Sequence, residues 1–195
     1  MKLKALCAAT SNPNKIREIR CLLSKFRVEV SGLPPGTQMP AETGTDFREN
    51  ARIKALFGFK LTGMATLADD SGLEVEVLNG APGVHSARYA GGGGDAANNE
   101  KLLMALKGAE NRRARFRCSM ILVAKDTIIE AEGSCDGVIL DSPRGSGGFG
   151  YDPLFWIPEL GKTTAELTAE EKNRVSHRGR ALANLVAQLR CRGLL

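Results

Sequence analysis

The stretch "LKALCAATSNPNKIREIRCLLSKF", residues 3–26, decides the fold class. Leu3 to Ala8 form a short apolar run that reads as a strand. The period then changes: Ile16, Ile19, Leu22, Leu23 and Phe26 share one face of a helix. Between them lies "ATSNPNK", residues 9–15, where Asn12 is a good N-cap and Pro13 suits the first helical position. Strand, turn and capped helix, in that order, open an α/β chain. The turn is also chemically odd. Lys15 falls in the first helical turn and Arg17 follows closely, where the positive end of the helix dipole ordinarily recruits acids. An anion held there accounts for the cations, and phosphate is the usual one.

Outward from that opening, strand and helix patterns alternate. "RVEVS", residues 27–31, reads as a short strand, and a loop with Pro34, Pro35, Gly36 and Pro40 follows. Asp46 and Glu49 stand as N-cap and capping-box partner of a helix reaching about Thr62, with Gly63 placed to end it. "TLAD" and "LEVEVL" read as two strands around "DDSG", residues 69–72. After a glycine-rich loop, Asp95 caps a helix over "AANNEKLLMALKG". "ARFRCSMILVA" and "IIEAEGSCDGVIL" predict antiparallel strands joined by a tight turn near Lys125-Asp126. A second glycine-rich loop, "RGSGGFGYDP", leads into "LFWIP". Thr168 and Glu171 form a capping box for a last helical segment with Val175, Leu182, Leu185, Val186 and Leu189 facing the core. Ser176 can break that segment and cap a second helix. The hairpin interrupts the alternating order, so the expected class is α/β with a mixed sheet.

Bulk properties narrow the class of function. The chain has 195 residues, 43% of them apolar and 25% charged, as in a soluble globular domain. Five cysteines without CxxC spacing point to reduced thiols rather than a disulfide frame or zinc site. The basic start is too short in its apolar part for a signal peptide, and no run approaches a membrane span. The expectation is a soluble cytoplasmic protein. The net charge of +5 is concentrated from Lys172 onward, where six Lys or Arg meet no acid, and in "NRRARFR", residues 111–117. Arg113, Arg115 and Arg117 fall on one face of a strand, which suits a polyanion or simply a solvated face.

Four clusters can carry chemistry. Asp69 and Asp70 repel unless a turn brings them together on a hard cation, for which oxygen ligands suit Mg²⁺ or Mn²⁺; the alternative is a solvated turn. Asn50 and Lys54 lie at i, i+4 on one helix face beside Ala51, Ala55 and Gly58, and Glu42 just upstream can add a carboxylate. The alternative is a helix packed on another backbone. In "GSGGFGYDP", glycines let the backbone approach a ligand while Phe149 or Tyr151 offers a ring. Lys172, His177 and Arg178 are a dense donor set, able to bond a base or phosphate, or to favour a helix end. A dinucleotide fingerprint and a P-loop are both absent. No Ser, Cys or His is paired with an obvious base, so attack by water is favoured over a covalent route.

In order, "ATSNPNK", "ETGTDFRENARIKA", "ADDSGLEVEVLNGAPGVHSARYAG", "GGFGYDPLF" and "KTTAELTAEEKNRVSHRGRAL" resemble the inosine-triphosphate pyrophosphatase family, over nearly the whole chain. The resemblance implies an elongated mixed β-sheet with flanking helices forming two lobes around a nucleotide-binding cleft, all within one domain, 1–195. It also implies a homodimer and Mg²⁺-dependent hydrolysis of ITP, dITP and XTP to the monophosphate and pyrophosphate. By position, Thr10, Ser11, Asn12, Pro13, Asn14 and Lys15 look like the triphosphate turn. Glu42 and Asp70, with Asp69 beside them, resemble the metal site, Asp70 being the general base. Lys54 and Ser71 look like substrate contacts. Phe149, Gly150, Tyr151 and Asp152 resemble the base-holding loop, and Lys172, His177 and Arg178 complete the pocket. The chain departs from the family in having Ser11 and Asn14 where glycine is usual. The rival readings are a nucleotide-binding regulator without hydrolysis and an RNA-binding protein using the arginine cluster; neither nucleic acid nor membrane is an expected partner.

Overall fold

The computed structural model describes residues 2–195. Twelve elements carry the chain: β1 (Ala5–Ala8), α1 (Pro13–Leu23), β2 (Glu29–Gly32), α2 (Phe47–Thr62), β3 (Thr66–Val75), α3 (Gly94–Ala105), β4 (Arg113–Ala124), β5 (Thr127–Ile139), β6 (Phe155–Ile157), β7 (Lys162–Thr163), α4 (Ala169–Val175) and α5 (His177–Cys191). The strands form one seven-stranded sheet in the order β2-β1-β3-β4-β5-β6-β7. β1 runs parallel to β2 and β3, whereas β6 runs antiparallel to β5 and β7. The class is the mixed-sheet α/β that the hairpin at Lys125-Asp126 predicts.

Most local signals act where expected. Asn12 caps α1 by accepting from the amides of Asn14 and Lys15, with Pro13 at the start. Asp46 accepts from the Glu49 amide and Gly63 ends α2 at φ +66°, but the expected capping box is not closed, because the Glu49 carboxylate accepts from the Thr45 amide instead of that of Asp46. The Thr168–Glu171 capping box is closed on both sides, and Ser176, extended at ψ 155°, separates α4 from α5. Two further expectations are corrected. α3 is capped by Gly93, without a side-chain bond, and Asp95 is used elsewhere. "DDSG" is not a turn: β3 runs unbroken from Thr66 to Val75, so Asp69 and Asp70 point to opposite faces.

The chain divides into two compact units. The first comprises residues 2–70 with Cys118–Gly133 and Arg178–Leu195. On one face of its strands Leu6, Ala8, Leu67, Met120 and Leu122 pack with Ile19 and Leu23 of α1 and Leu182 and Leu185 of α5. On the other, Ala68, Ile121 and Val123 pack with Ala51 and Ala55 of α2. Small residues let that helix lie close: a Cβ on Gly58 would come within 3.0 Å of the Ala9 Cβ. The second unit, Ser71–Arg117 with Ser134–His177, builds its core from Leu73, Val75, Leu102, Leu106, Phe116, Tyr151, Leu154 and Phe155. Among the described residues no helix is long and apolar enough to cross a membrane.

Candidate active site

In the first unit, β3 presents one acid to each face, and each acid finds cations there. Asp70 faces α2: its Oδ1 lies 2.8 Å from Lys54 Nζ, and Asn50 Nδ2 donates to its Oδ2 at 3.4 Å. Lys54 Nζ also lies 2.8 Å from Glu42 Oε1. Two carboxylates therefore converge on one cationic point. Glu42 is brought there by the "ETG" bend, which Asn50 pins by accepting from the Gly44 amide at 2.8 Å. A side chain at Gly44 does not fit, since its Cβ would stand 2.6 Å from Glu49 Cβ. Burial raises the Asp70 carboxyl above the ordinary aspartate value, although Lys54 pulls it down. Burial would lower Lys54, but the Asp70 and Asp69 charges outweigh it, and the ammonium is held above its ordinary value. So the i, i+4 pair of α2 reaches the acids while its small-residue stripe packs against the sheet, and Lys54 is buried on the acids rather than turned to water.

Asp69 faces α1 and α5. Its Oδ2 accepts from Lys15 Nζ at 3.0 Å and from Arg178 Nε and Nη2 at 3.2 Å each. Arg178, 2% exposed, also donates to Glu18 at 2.5 Å. Complete burial would raise the Asp69 carboxyl, yet Lys15 and Arg178 hold it far below the usual range. The third acid of the expected metal set is thus engaged by two cations on the opposite face from Glu42. It also supplies an anion for the cation in the first turn of α1.

Around that turn, Thr10 Oγ1 accepts from the Asn12 amide at 3.1 Å, and Asn12 Oδ1 accepts from the Asn14 amide at 2.9 Å. Arg17 donates to Asn14 Oδ1 at the surface. Among the described non-glycine residues only Arg27 and Asn79 have positive φ. Ser11 and Asn14 therefore replace the family's usual glycines without backbone strain.

In the second unit the glycine-rich loop is organised by Asp152. Its Oδ2 accepts from the Phe149 amide at 2.8 Å and from Lys172 Nζ at 2.6 Å, and its Oδ1 from Thr164 Oγ1 at 2.9 Å. A Cβ at Gly148, where φ is +74°, would collide with that carboxylate. Lys172 Nζ stands 4.9 Å from the centroid of the half-exposed Phe149 ring. Tyr151 is buried, its hydroxyl donating to the Ser86 carbonyl at 2.8 Å. Of the two rings offered by the sequence, Phe149 is the one open to a ligand. His177 stacks on Phe116 with centroids 4.7 Å apart. Ser71 follows Asp70 on β3, half-buried, in the second unit.

The arginine face of β4 is charge-balanced. Arg115 pairs with Asp136 at 2.5 Å and Arg117 with Glu74 at 3.5 Å. The groove beside it is lined by Glu74, Glu76, Asp136 and Glu159 as well as Arg113 and Arg115. It offers no continuous basic stripe.

Sequence reasoning missed Glu18, Ser86, Thr164 and Asn99, which hold candidate side chains or loops in place. Only Asn99 carried a usable signal, through its spacing from Asp95 on one helix face.

Residues 6–188 match the model of the Ham1 family. A "dITP/XTP pyrophosphatase" of Desulfotalea psychrophila is 51% identical over 184 residues, covering 92% of this chain and 82% of that protein. One of the same name from Pectobacterium atrosepticum is 48% identical over 195 residues, covering 96% of this chain and 99% of that protein. Among solved structures, the Ham1 protein of Staphylococcus aureus superposes with a TM-score of 0.86 at 40% identity, covering 97% of this chain and all of that one. A "Nucleoside-triphosphatase / dITP/XTP pyrophosphatase" of Mycobacterium abscessus gives 0.73 at 44%, covering 95% and 99%.

Proposed function

This chain belongs to the Ham1 family, and we propose on that premise that it hydrolyses non-canonical purine nucleoside triphosphates, ITP, dITP and XTP, to the monophosphate and pyrophosphate. It is a hydrolase of nucleotide metabolism. The observation that carries the chemistry is the convergence of Glu42 and Asp70 on one cationic point, each 2.8 Å from Lys54 Nζ.

Among the described residues no group of three or more His, Cys, Asp or Glu is gathered as a metal cage. Mg²⁺ does not ask for one, since it is commonly held by one or two carboxylates together with substrate phosphates and waters. The oxygen-only pair Glu42 and Asp70 fits it. These two residues would hold Mg²⁺, with Mn²⁺ as substitute, and the bound cation would neutralise phosphate charge and acidify water. Asp70, its carboxyl raised by burial, accepts the proton of the attacking water; a base nearer neutral pH transfers more effectively. Lys15 and Lys54 offset charge developing on the leaving pyrophosphate.

Thr10 to Asn14 present the turn to the triphosphate, with Ser71 as a further contact. Phe149 stacks on the base within the loop ending at Asp152, where Gly150 and Tyr151 shape the backbone. Donors from Lys172 and His177 favour a purine bearing a 6-keto group, whereas the Arg178 guanidinium is engaged by Asp69 and Glu18. Adenine presents an amino group there and leaves such donors unmet, which lowers its rate by up to about 10⁴-fold. The whole chain is taken as one catalytic domain, acting in the cytoplasm as a homodimer. Five free thiols suit a reducing compartment.

The test is pyrophosphate release from ITP, XTP, dITP, ATP, GTP and dTTP, with Mg²⁺ and with chelator. Metal-dependent release from ITP and XTP, much slower from ATP and GTP, is expected; the 6-keto argument accounts for ATP alone. Equal release from all purines would overturn the 6-keto argument. Binding without release would make the chain a regulator.

A further inference from the structure

α3 carries three polar side chains on one face, Asp95, Asn98 and Asn99, at i, i+3 and i+4. Each grips the backbone of a neighbouring loop. Asp95 Oδ2 accepts from the Gly150 amide at 2.6 Å, and Asn99 Nδ2 donates to the Gly150 carbonyl at 2.9 Å. Both polar groups of one glycine are thereby held by one helix. Asn98, 3% exposed, does the same for the loop before α3: it accepts from the Ala90 amide at 2.8 Å and donates to the Ala87 carbonyl at 3.2 Å.

Gly150 needs such a grip. Its φ is +63° and that of Gly148 is +74°, so Phe149 lies between two residues whose backbone is unusually free. Ordering each such residue is costly in entropy. Asp152 fixes the Phe149 amide from the C-terminal side. The α3 pair fixes the next residue, and the bond to Asp95 is a short, charge-assisted one. With both in place the ring of Phe149 has a defined plane.

From this geometry we infer that Asp95 and Asn99 are positioning residues that set the base-stacking plane of Phe149, and through it the affinity for the nucleobase. The inference rests on the reading of Phe149–Asp152 as the base-holding loop. The grip acts on the loop that carries Phe149, so its effect is expected on base affinity rather than on the hydrolytic step. Asn99 has the chemistry for the carbonyl and Asp95 the chemistry for the amide; exchanging the two residue types would put a carboxylate against the Gly150 carbonyl.

The experiment compares the wild-type chain with Asp95→Ala, Asp95→Asn and Asn99→Ala. Steady-state dITP hydrolysis is measured together with amide hydrogen exchange of residues 148–152. Asp95→Ala is expected to raise KM about tenfold with kcat within about threefold. Asp95→Asn, which keeps an acceptor, is expected to restore KM to within about threefold of wild type. Exchange across 148–152 accelerates in the alanine variants while that of α1 stays unchanged. An unchanged KM in both alanine variants overturns the inference. So does a fall in kcat and KM effects that the asparagine variant does not rescue, which marks a purely structural role. If wild type releases no pyrophosphate from dITP, ITP or XTP, the proposed function fails by itself. Hydrogen exchange then still decides: unaltered protection of 148–152 in both alanine variants refutes the clamp.

Discussion

Lys15 Nζ lies 3.0 Å from Asp69 Oδ2, so the cation in the first turn of α1 is answered by a buried carboxylate of its own chain. Arg178 shares that carboxylate from α5. The three residues tie both helices to β3. Replacing Asp69 with Asn leaves the half-buried Lys15 and the buried Arg178 beside a neutral acceptor, and breaking a buried pair in this way costs ~3–5 kcal/mol. The urea midpoint measures it; a shift worth less than ~1 kcal/mol would show that water or Glu18 takes over.

Asp70→Asn keeps the shape and the bond to Lys54 but removes the base. Turnover is expected to fall ~10²-fold or more, with nucleotide binding largely kept. Pyrophosphate release and equilibrium binding, measured on the same preparation, separate the two effects. Turnover within a few-fold of wild type would take Asp70 out of the base role.

Chelation is expected to abolish pyrophosphate release, and added Mg²⁺ to restore it. Glu42→Gln should raise the Mg²⁺ concentration for half-maximal rate by about tenfold or more, because one of two converging carboxylates is lost. An unaltered Mg²⁺ requirement would place the cation elsewhere.

Phe149→Leu retains apolar bulk but loses the aromatic face. Base stacking on an aromatic side chain is worth ~1–3 kcal/mol, so KM for dITP should rise roughly 5- to 100-fold. Phe149→Tyr should remain close to wild type. If leucine serves as well as phenylalanine, the ring is only a hydrophobic wall.

Glu171 closes the capping box of α4, the helix that carries Lys172. The Thr168 amide, and then Lys162, lower its carboxyl from 4.5 to about 2. A carboxyl depressed on folding adds stability above its unfolded value, and that contribution fades as pH falls through the folded one. Glu171→Gln should therefore lower the thermal midpoint at neutral pH, with the gap closing between about pH 4.5 and pH 2. Scans of both proteins across that range check it, and a gap that persists at pH 2 would exclude the charge as its source.

Caps and turns were legible because they are local. Asn12, Asp46, Thr168 with Glu171, and Gly63 each act within four residues of their partners, and the structure uses them as read. The exceptions are instructive. Asp95 looked like an N-cap by position, but the loop at Gly150 offers it an amide at 2.6 Å and Gly93 takes the cap. "DDSG" looked like a turn because two adjacent acids repel. Continuous pairing of β3 instead places them on opposite faces, with Lys15 and Arg178 on one and Lys54 on the other.

The sequence by itself determined the alternating elements, the mixed sheet and the family, since periodicity, capping chemistry and five ordered motifs are written in the chain. Tertiary structure alone decided which charge meets which. Arg178 and Asp69 are 109 residues apart, and Lys172 and Asp152 are 20. Nothing local fixes such pairs. They follow from which face of the sheet each helix covers, and from the need of every buried charge to find an opposite one there.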